Sequence, residues 1–254
     1  MRSSMNTVMQ EKKNKVILIT GASRGIGAFT ASLLAQQGHS IVINYANNDQ
    51  EANAVVQKIQ ANGGTVTAFK ANISHSNEVI QLFDYAFQTY GRVDVLINNA
   101  GLMRLNKIEE VDDETIDQLF AINVKGALYT MREAAKRLTH GGKIINLSSS
   151  VVGMKLETYG VYTASKAAIE SLTAILAKEL RGKNITVNAI APGPTATELF
   201  LKGKSNELIE RLSKAAPLER LGTVEDIAVV LDFAVNEGSN WVNAQVLRVN
   251  GGII

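Results

Sequence analysis

The chain has 254 residues, 46% hydrophobic and 20% charged, a length and balance that suit one large α/β domain and exclude extensive disorder. Its 26 Lys and Arg face 24 Asp and Glu, a formal net charge of +2, so there is no electrostatic case for nucleic acid or an anionic membrane surface. The absence of cysteine excludes disulfides and thiolate chemistry, and the histidines His39, His75 and His140 lack ligand spacing, so no metal is expected and each belongs on the surface or in a loop.

The opening "MRSSMNTVMQEKKN" is polar and lacks the apolar centre of a signal peptide, and no apolar run reaches the roughly 18 residues of a membrane span. Residues 1–13 are expected to form a flexible tail on a cytoplasmic protein.

In chain order, "KVILIT" (15–20) reads as a buried strand, 25–37 as a helix stopped by Gly38, and "IVINY" (41–45) as a second strand. A helix at 49–62 ends at Gly63-Gly64, and "TVTAFKA" (65–71) is the third strand. A helix at 76–90, the strand "VDVLIN" (93–98), a long helix within 112–138 and the strand "KIINLS" (143–148) follow. A helix at 161–181, the strand "ITVNAIA" (185–191), a helix at 224–236 and the strand "QVLRVN" (245–250) complete the series. Strands rich in Val and Ile on both faces, alternating with helices, predict right-handed crossovers and a doubly wound parallel sheet. No linker divides residues 14–254, so one domain is expected, with a single long insertion at 192–222 as its lid or binding loop.

The first strand runs into "TGASRGIG" (20–27). Glycines between a strand and a helix allow a tight turn, close approach of a pyrophosphate and tight helix packing, and the helix N-terminus offers free N–H groups to phosphate. The spacing here is Gly-x-x-x-Gly-x-Gly, with Gly21, Gly25 and Gly27. Further on, "YGVYTASK" (159–166) places Tyr162 and Lys166 at i and i+4, on one helix face, whereas Tyr159 has the uncharged Thr163 at that spacing. A cation near a phenol favours its ionised form, which suits acid/base work, although a solvated Tyr/Lys face has the same spacing.

"TGASRGIG", "NNAG" (98–101), "YTASK" (162–166) and "PG" (192–193), in this order and at these spacings, resemble the short-chain dehydrogenase/reductase family over nearly the whole chain. The resemblance implies a Rossmann-type fold of seven strands in the order 3-2-1-4-5-6-7, a nicotinamide cofactor and a homotetramer. It also implies that Tyr162 and Lys166 are the family's Tyr-x-x-x-Lys pair. In "NLSSSVVG" the family serine falls on Ser149, 13 positions before Tyr162, with Ser150 as the alternative. Asn123, in "FAINVKG", matches the asparagine that in the family holds a water linking the lysine to solvent.

By the same resemblance Gly21, Ser23, Arg24, Gly25, Ile26 and Gly27 meet the cofactor, as do Asn99, Ala100 and Gly101 beside the adenine ribose. Pro192, Gly193, Thr195 and Thr197 are assigned to the nicotinamide and pyrophosphate end, along with Tyr162 and Lys166. Similar NAD enzymes carry Asp where this chain has Tyr45, followed by Ala46 and Asn47. A strand end without that carboxylate, with Arg24 in reach, predicts NADP(H). Asn72 replaces the Asp that often bonds the adenine amino group, its amide oxygen being able to accept the same bond, and Ile73 follows it.

The expected reaction is NADPH-dependent reduction of a ketone or 3-oxoacyl compound. The chain is similar to 3-oxoacyl-[acyl-carrier-protein] reductases, for which Arg132, Lys136, Arg137 and Lys183 are candidate carrier contacts. Leu199, Phe200 and Leu201 could close on an apolar substrate or pack on the core or a neighbouring subunit. A sugar or polyol dehydrogenase is the alternative within enzymes, and a non-catalytic NADP-binding sensor the alternative outside them.

Overall fold

The computed structural model describes residues 14–254, so the expected tail at 1–13 lies outside the described residues. Its strands are β1 (Val16–Ile19), β2 (Ser40–Tyr45), β3 (Thr65–Lys70), β4 (Val95–Asn98), β5 (Lys143–Leu147), β6 (Thr186–Pro192) and β7 (Val246–Val249). They form one seven-stranded parallel sheet in the order β3-β2-β1-β4-β5-β6-β7, as the resemblance implied. The period-2 geometry of a strand divides the core. Ile17 and Ile19 of β1 join the apolar cluster on one face, and Leu18 joins that on the other.

The first face is covered by α1 (Gly25–Gln36), α2 (Asp49–Ala61) and α10 (Val224–Val235), through residues such as Leu34, Ile59 and Leu231. The other is covered by α3 (Ser76–Tyr90), α5 (Ala127–Arg137) and α7 (Gly160–Glu179), through Phe83, Met131 and Ile169. Side-chain caps set several helix starts. Asn48 accepts from Glu51 N at α2, and Thr223 and Asp226 form a reciprocal capping box at α10.

The long helix expected within 112–138 is broken in character. It runs as α4 (Asp113–Phe120), a π-helical turn (Ala121–Gly126) and α5, and the turn contains Asn123. Such a wide turn is commonly found at functional sites. The insertion at 192–222 is closed at its base, where Thr195 bridges Gly222, and it carries α8 (Glu198–Leu201) and α9 (Asn206–Ala215). A short α6 (Val151–Met154), too brief to leave a periodic signal, follows β5.

His39 precedes β2 in a loop but is only 2% exposed, because its Nδ1 accepts the N–H of Lys15 where β1 and β2 begin side by side. His75 and His140 are on the surface. No described helix is long and apolar enough to cross a membrane.

Candidate active site

A cavity of about 500 Å³ runs along the carboxyl edge of the sheet, where open α/β sheets bind ligands. One end is formed by Arg24 and Tyr45 to Asn48, the other by Ser149, Tyr162 and Lys166.

The glycine turn is stitched to the end of β4. Asn99 Nδ2 donates to Thr20 O and Gly21 O at 2.9 and 2.8 Å, and Thr20 Oγ1 accepts the N–H groups of Asn99 and Ala100. A Cβ on Gly27 would stand 2.5 Å from Asn99 Nδ2, so this glycine serves helix packing and does not line the cavity, unlike Gly21, Ser23, Arg24, Gly25 and Ile26. Helix α1 starts without a side-chain cap and without an acid in its first turn, in contrast to α2 and α10. Its leading N–H groups are therefore available to an anion.

At the end of β2, Tyr45 donates its phenol proton to Asp49 Oδ1 at 2.8 Å, and Lys70 pairs with the other oxygen. Asp49, as the first residue of α2, thus leaves β2 without the ribose-binding carboxylate. Ala46, Asn47, Asn99, Ala100 and Gly101 all line the cavity. Asn72 and Ile73 do too, but the Asn72 amide oxygen already accepts from Ser74 N and Oγ at 3.0 and 2.8 Å, which fills its two lone pairs. Asn44 was missed by sequence reasoning. It is buried in β2, its Nδ2 donating to Ala71 O and its Oδ1 accepting from Gly21 N, so it braces the glycine turn. A polar amide next to the end of an otherwise apolar strand was the available signal.

At the other end the three serines separate. Ser148 Oγ donates to Glu170, and Ser150 Oγ donates to Ala191 O while accepting from Asn250. Ser149 is left with a long contact from Val151 N at 3.4 Å, and its hydroxyl lies against the phenol of Tyr162. Tyr162 is 8% exposed, and burial pushes its phenol up to about 12, with Ser149 pulling the other way and Tyr159 adding to the rise. Lys166 is also buried, its Nζ donates to Leu147 O at 2.8 Å, and burial lowers it to about 8. The Nζ lies 5.8 Å from the centre of the Tyr162 ring. The expected lowering of the phenol by Lys166 is thus corrected, because burial dominates both groups.

Asn123 is buried beneath this pair and does not line the cavity. Both amide hydrogens are used, by Leu102 O and Ser165 Oγ at 2.8 and 3.0 Å, while Oδ1 accepts from Leu102 N. Its side chain therefore ties the π turn to the loop after β4 and, through Ser165, to the helix carrying Tyr162 and Lys166. Tyr159 is buried in the same wall.

Pro192, Gly193, Thr195 and Thr197 line the cavity from the insertion. A Cβ on Gly193 would lie 2.7 Å from Asn250 Cα, so that glycine is also required for packing. Thr197 Oγ1 caps α8 by accepting from Phe200 N. Leu199 and Phe200 face the cavity, whereas Leu201 does not line it. Met103, Met154, Leu156 and Leu212 complete an apolar wall that no local spacing announced, since it is assembled from separate loops and the helices α6 and α9. The candidate carrier-binding cations are engaged elsewhere. Arg132, Lys136 and Arg137 surround the buried Glu133, and Lys183 donates to Ala135 O.

The buried lysines make a pH prediction. Lys166 and the equally buried Lys143 titrate near 8 when folded, against 10.5 ordinarily, so between those values the unfolded chain binds more protons and stability rises with pH. Tyr162 acts in the opposite sense only above 10. The urea midpoint should climb from about pH 7.5 to about 9.5, and less so in Lys166→Met. A flat or falling midpoint would contradict the desolvation of these ammonium groups.

A glycine turn fitted to Ala100, an uncapped helix N-terminus and a cavity joining them to a Tyr–Lys–Ser cluster fit a bound dinucleotide. A family model described as enoyl-(acyl carrier protein) reductase matches residues 21–254. A short-chain type dehydrogenase/reductase of Picea abies is 46% identical, covering 94% of this chain and 92% of that protein. NADPH-dependent aldehyde reductase 2, chloroplastic, of Arabidopsis thaliana is 40% identical over 94% of each chain. Among solved structures, a short chain dehydrogenase from Burkholderia cenocepacia J2315 in complex with NADP superimposes with a TM-score of 0.89 at 31% identity, covering 94% of this chain and 97% of its own. With its strand order, its motifs and these relatives in agreement, the chain belongs to the short-chain dehydrogenase/reductase family.

Proposed function

We propose that the protein is an NADPH-dependent reductase of apolar aldehydes or ketones, with Tyr162 as the proton donor. The single observation that carries this reading is the Ser149–Tyr162–Lys166 cluster beside the apolar residues of a cavity that reaches the glycine turn. The chain uses NADP(H): β2 ends in Tyr45 with no ribose carboxylate, relatives from Arabidopsis thaliana are named NADPH-dependent aldehyde reductases, and two similar Burkholderia cenocepacia structures hold NADP.

NADPH, when bound, supplies the hydride that adds to the carbonyl carbon. Arg24 and Asn47 would hold its 2′-phosphate end, Asn99 to Gly101 the adenine ribose, and Thr195 the carboxamide. Ser149 donates a hydrogen bond to the carbonyl oxygen and holds it beside the phenol. Tyr162 gives that oxygen its proton as the alkoxide forms, and the Lys166 ammonium stabilises the phenolate left behind. A phenol pushed up to about 12 is protonated at neutral pH, the form needed for reduction.

Met103, Met154, Leu156, Leu199, Phe200 and Leu212 suit an apolar substrate better than a sugar. The 3-oxoacyl-carrier reading has the family model's description in its favour, but three of its candidate docking cations, Arg132, Lys136 and Arg137, pair with Glu133, and Lys183 donates to Ala135 O. The test is NADPH oxidation measured over aldehydes, ketones, 3-oxoacyl thioesters and sugars, repeated with NADH. Apolar carbonyls should turn over fastest and NADPH should be preferred. A preference for sugars, or for NADH, would overturn the corresponding half of the reading.

Second copies of the chain are the proposed cover for exposed apolar residues, Leu128 on α5 and Ile175 on α7, and Val229 and Phe233 on α10. The homotetramer that the family resemblance implies is the proposed assembly, and a light-scattering mass at the 27.4 kDa of one chain would exclude it.

A further inference from the structure

Among the described residues lining the cavity, the cations are Arg24 and Lys166, and the acids are Glu51 and Glu198. Lys166 is buried at the catalytic end, so Arg24 is the cation at the adenosine end. Arg24 is not idle. Its Nη1 donates to Glu198 Oε2 at 3.1 Å and lies 3.9 Å from Glu51 Oε1. Glu198 opens α8, the helix whose next two residues, Leu199 and Phe200, form part of the cavity wall. One exposed ion pair thus links the glycine turn to the wall over the substrate end, across a sequence separation of 174.

We propose that Glu198 is a built-in competitor for the cofactor's 2′-phosphate, occupying the guanidinium of Arg24 until that phosphate displaces it. The proposal rests on the reading that Arg24 meets the 2′-phosphate. A phosphate monoester carries nearly two negative charges and three acceptor oxygens, and it engages an arginine fork more strongly than a single carboxylate does. An exposed Arg–Glu pair contributes little, so the exchange runs toward phosphate. Its consequence is selective. Glu198 weakens binding of ligands that carry the 2′-phosphate and is indifferent to those that lack it. Displacement also unties α8 from the glycine turn, so phosphate occupancy at one end of the cavity is felt by the wall at the other.

The proposal is tested by calorimetric titration of adenosine 2′,5′-bisphosphate and adenosine 5′-monophosphate into the wild-type chain, Glu198→Gln, Arg24→Gln and the double variant. Glu198→Gln should tighten the bisphosphate about two- to fivefold, the range set by an exposed ion pair. The monophosphate should bind unchanged, which also verifies that the variant is folded. In the Arg24→Gln background the gain should vanish. An unchanged or weaker bisphosphate affinity in Glu198→Gln overturns the proposal. So does an equal gain without Arg24, which would mean that Glu198 acts on the phosphate directly through its field. If Arg24→Gln alone leaves bisphosphate affinity unchanged, the assignment of Arg24 to the phosphate fails instead.

Discussion

Tyr162→Phe should reduce turnover by about 10²- to 10⁴-fold, the usual contribution of a positioned acid, while NADPH still binds within about twofold of wild type. The ring is retained, so the packing of Leu119, Val151 and Tyr159 around it persists and only the hydroxyl is lost. Tyr159→Phe is the matched control. It too is a buried phenol raised by desolvation, but Lys166 is one helical turn from Tyr162 and not from Tyr159. Its loss should cost less than about tenfold. Stopped-flow hydride transfer and NADPH fluorescence titration separate the two readouts. Undiminished turnover in Tyr162→Phe would refute the assignment, and loss of NADPH binding would mean that the phenyl ring alone no longer holds the site together.

Gly21→Ala should destabilise the fold by about 2–4 kcal/mol and abolish high-affinity cofactor binding. Two costs add there. Gly21 has φ +61°, which a side chain disfavours by about 1–2 kcal/mol, and a Cβ would stand 2.7 Å from Ala100 Cα. That neighbour is backbone, held by the hydrogen bond from Ala100 N to Thr20 Oγ1, so it cannot swing aside. Gly38→Ala isolates the conformational cost, since Gly38 has φ +90° and open space around it. Urea unfolding of the two variants gives the difference directly. Equal losses would mean that the close approach to Ala100 is relieved at no cost.

The periodic parts of this molecule were legible in the sequence. Strands buried on both faces must be apolar throughout, and covering helices must be amphipathic, so both leave runs that a single chain displays. The expected α3 range, 76–90, coincides with Ser76–Tyr90 because Gly91, at φ +75°, ends the helix. Local spacing likewise separated Tyr162 from Tyr159. The sequence did not display the π turn at Asn123, the burial of His39 or the short α6, since each depends on neighbours distant along the chain or on a segment too short to show a period.

The chain by itself determined the alternation of strand and helix, the glycine turn and the i, i+4 pairing of Tyr162 with Lys166, because these are properties of residues a few positions apart. The motif pointed to Ser149 with Ser150 as the alternative, and the tertiary structure separated the serines. Glu170 takes Ser148 and Asn250 takes Ser150, across separations of 22 and 100 residues, and Ser149 remains. It also decided that burial raises Tyr162 despite the lysine beside it, and that Arg24 meets Glu198. Sheet order brings such residues together, and desolvation depends on everything that surrounds a group, so neither is written in the spacing of any one segment.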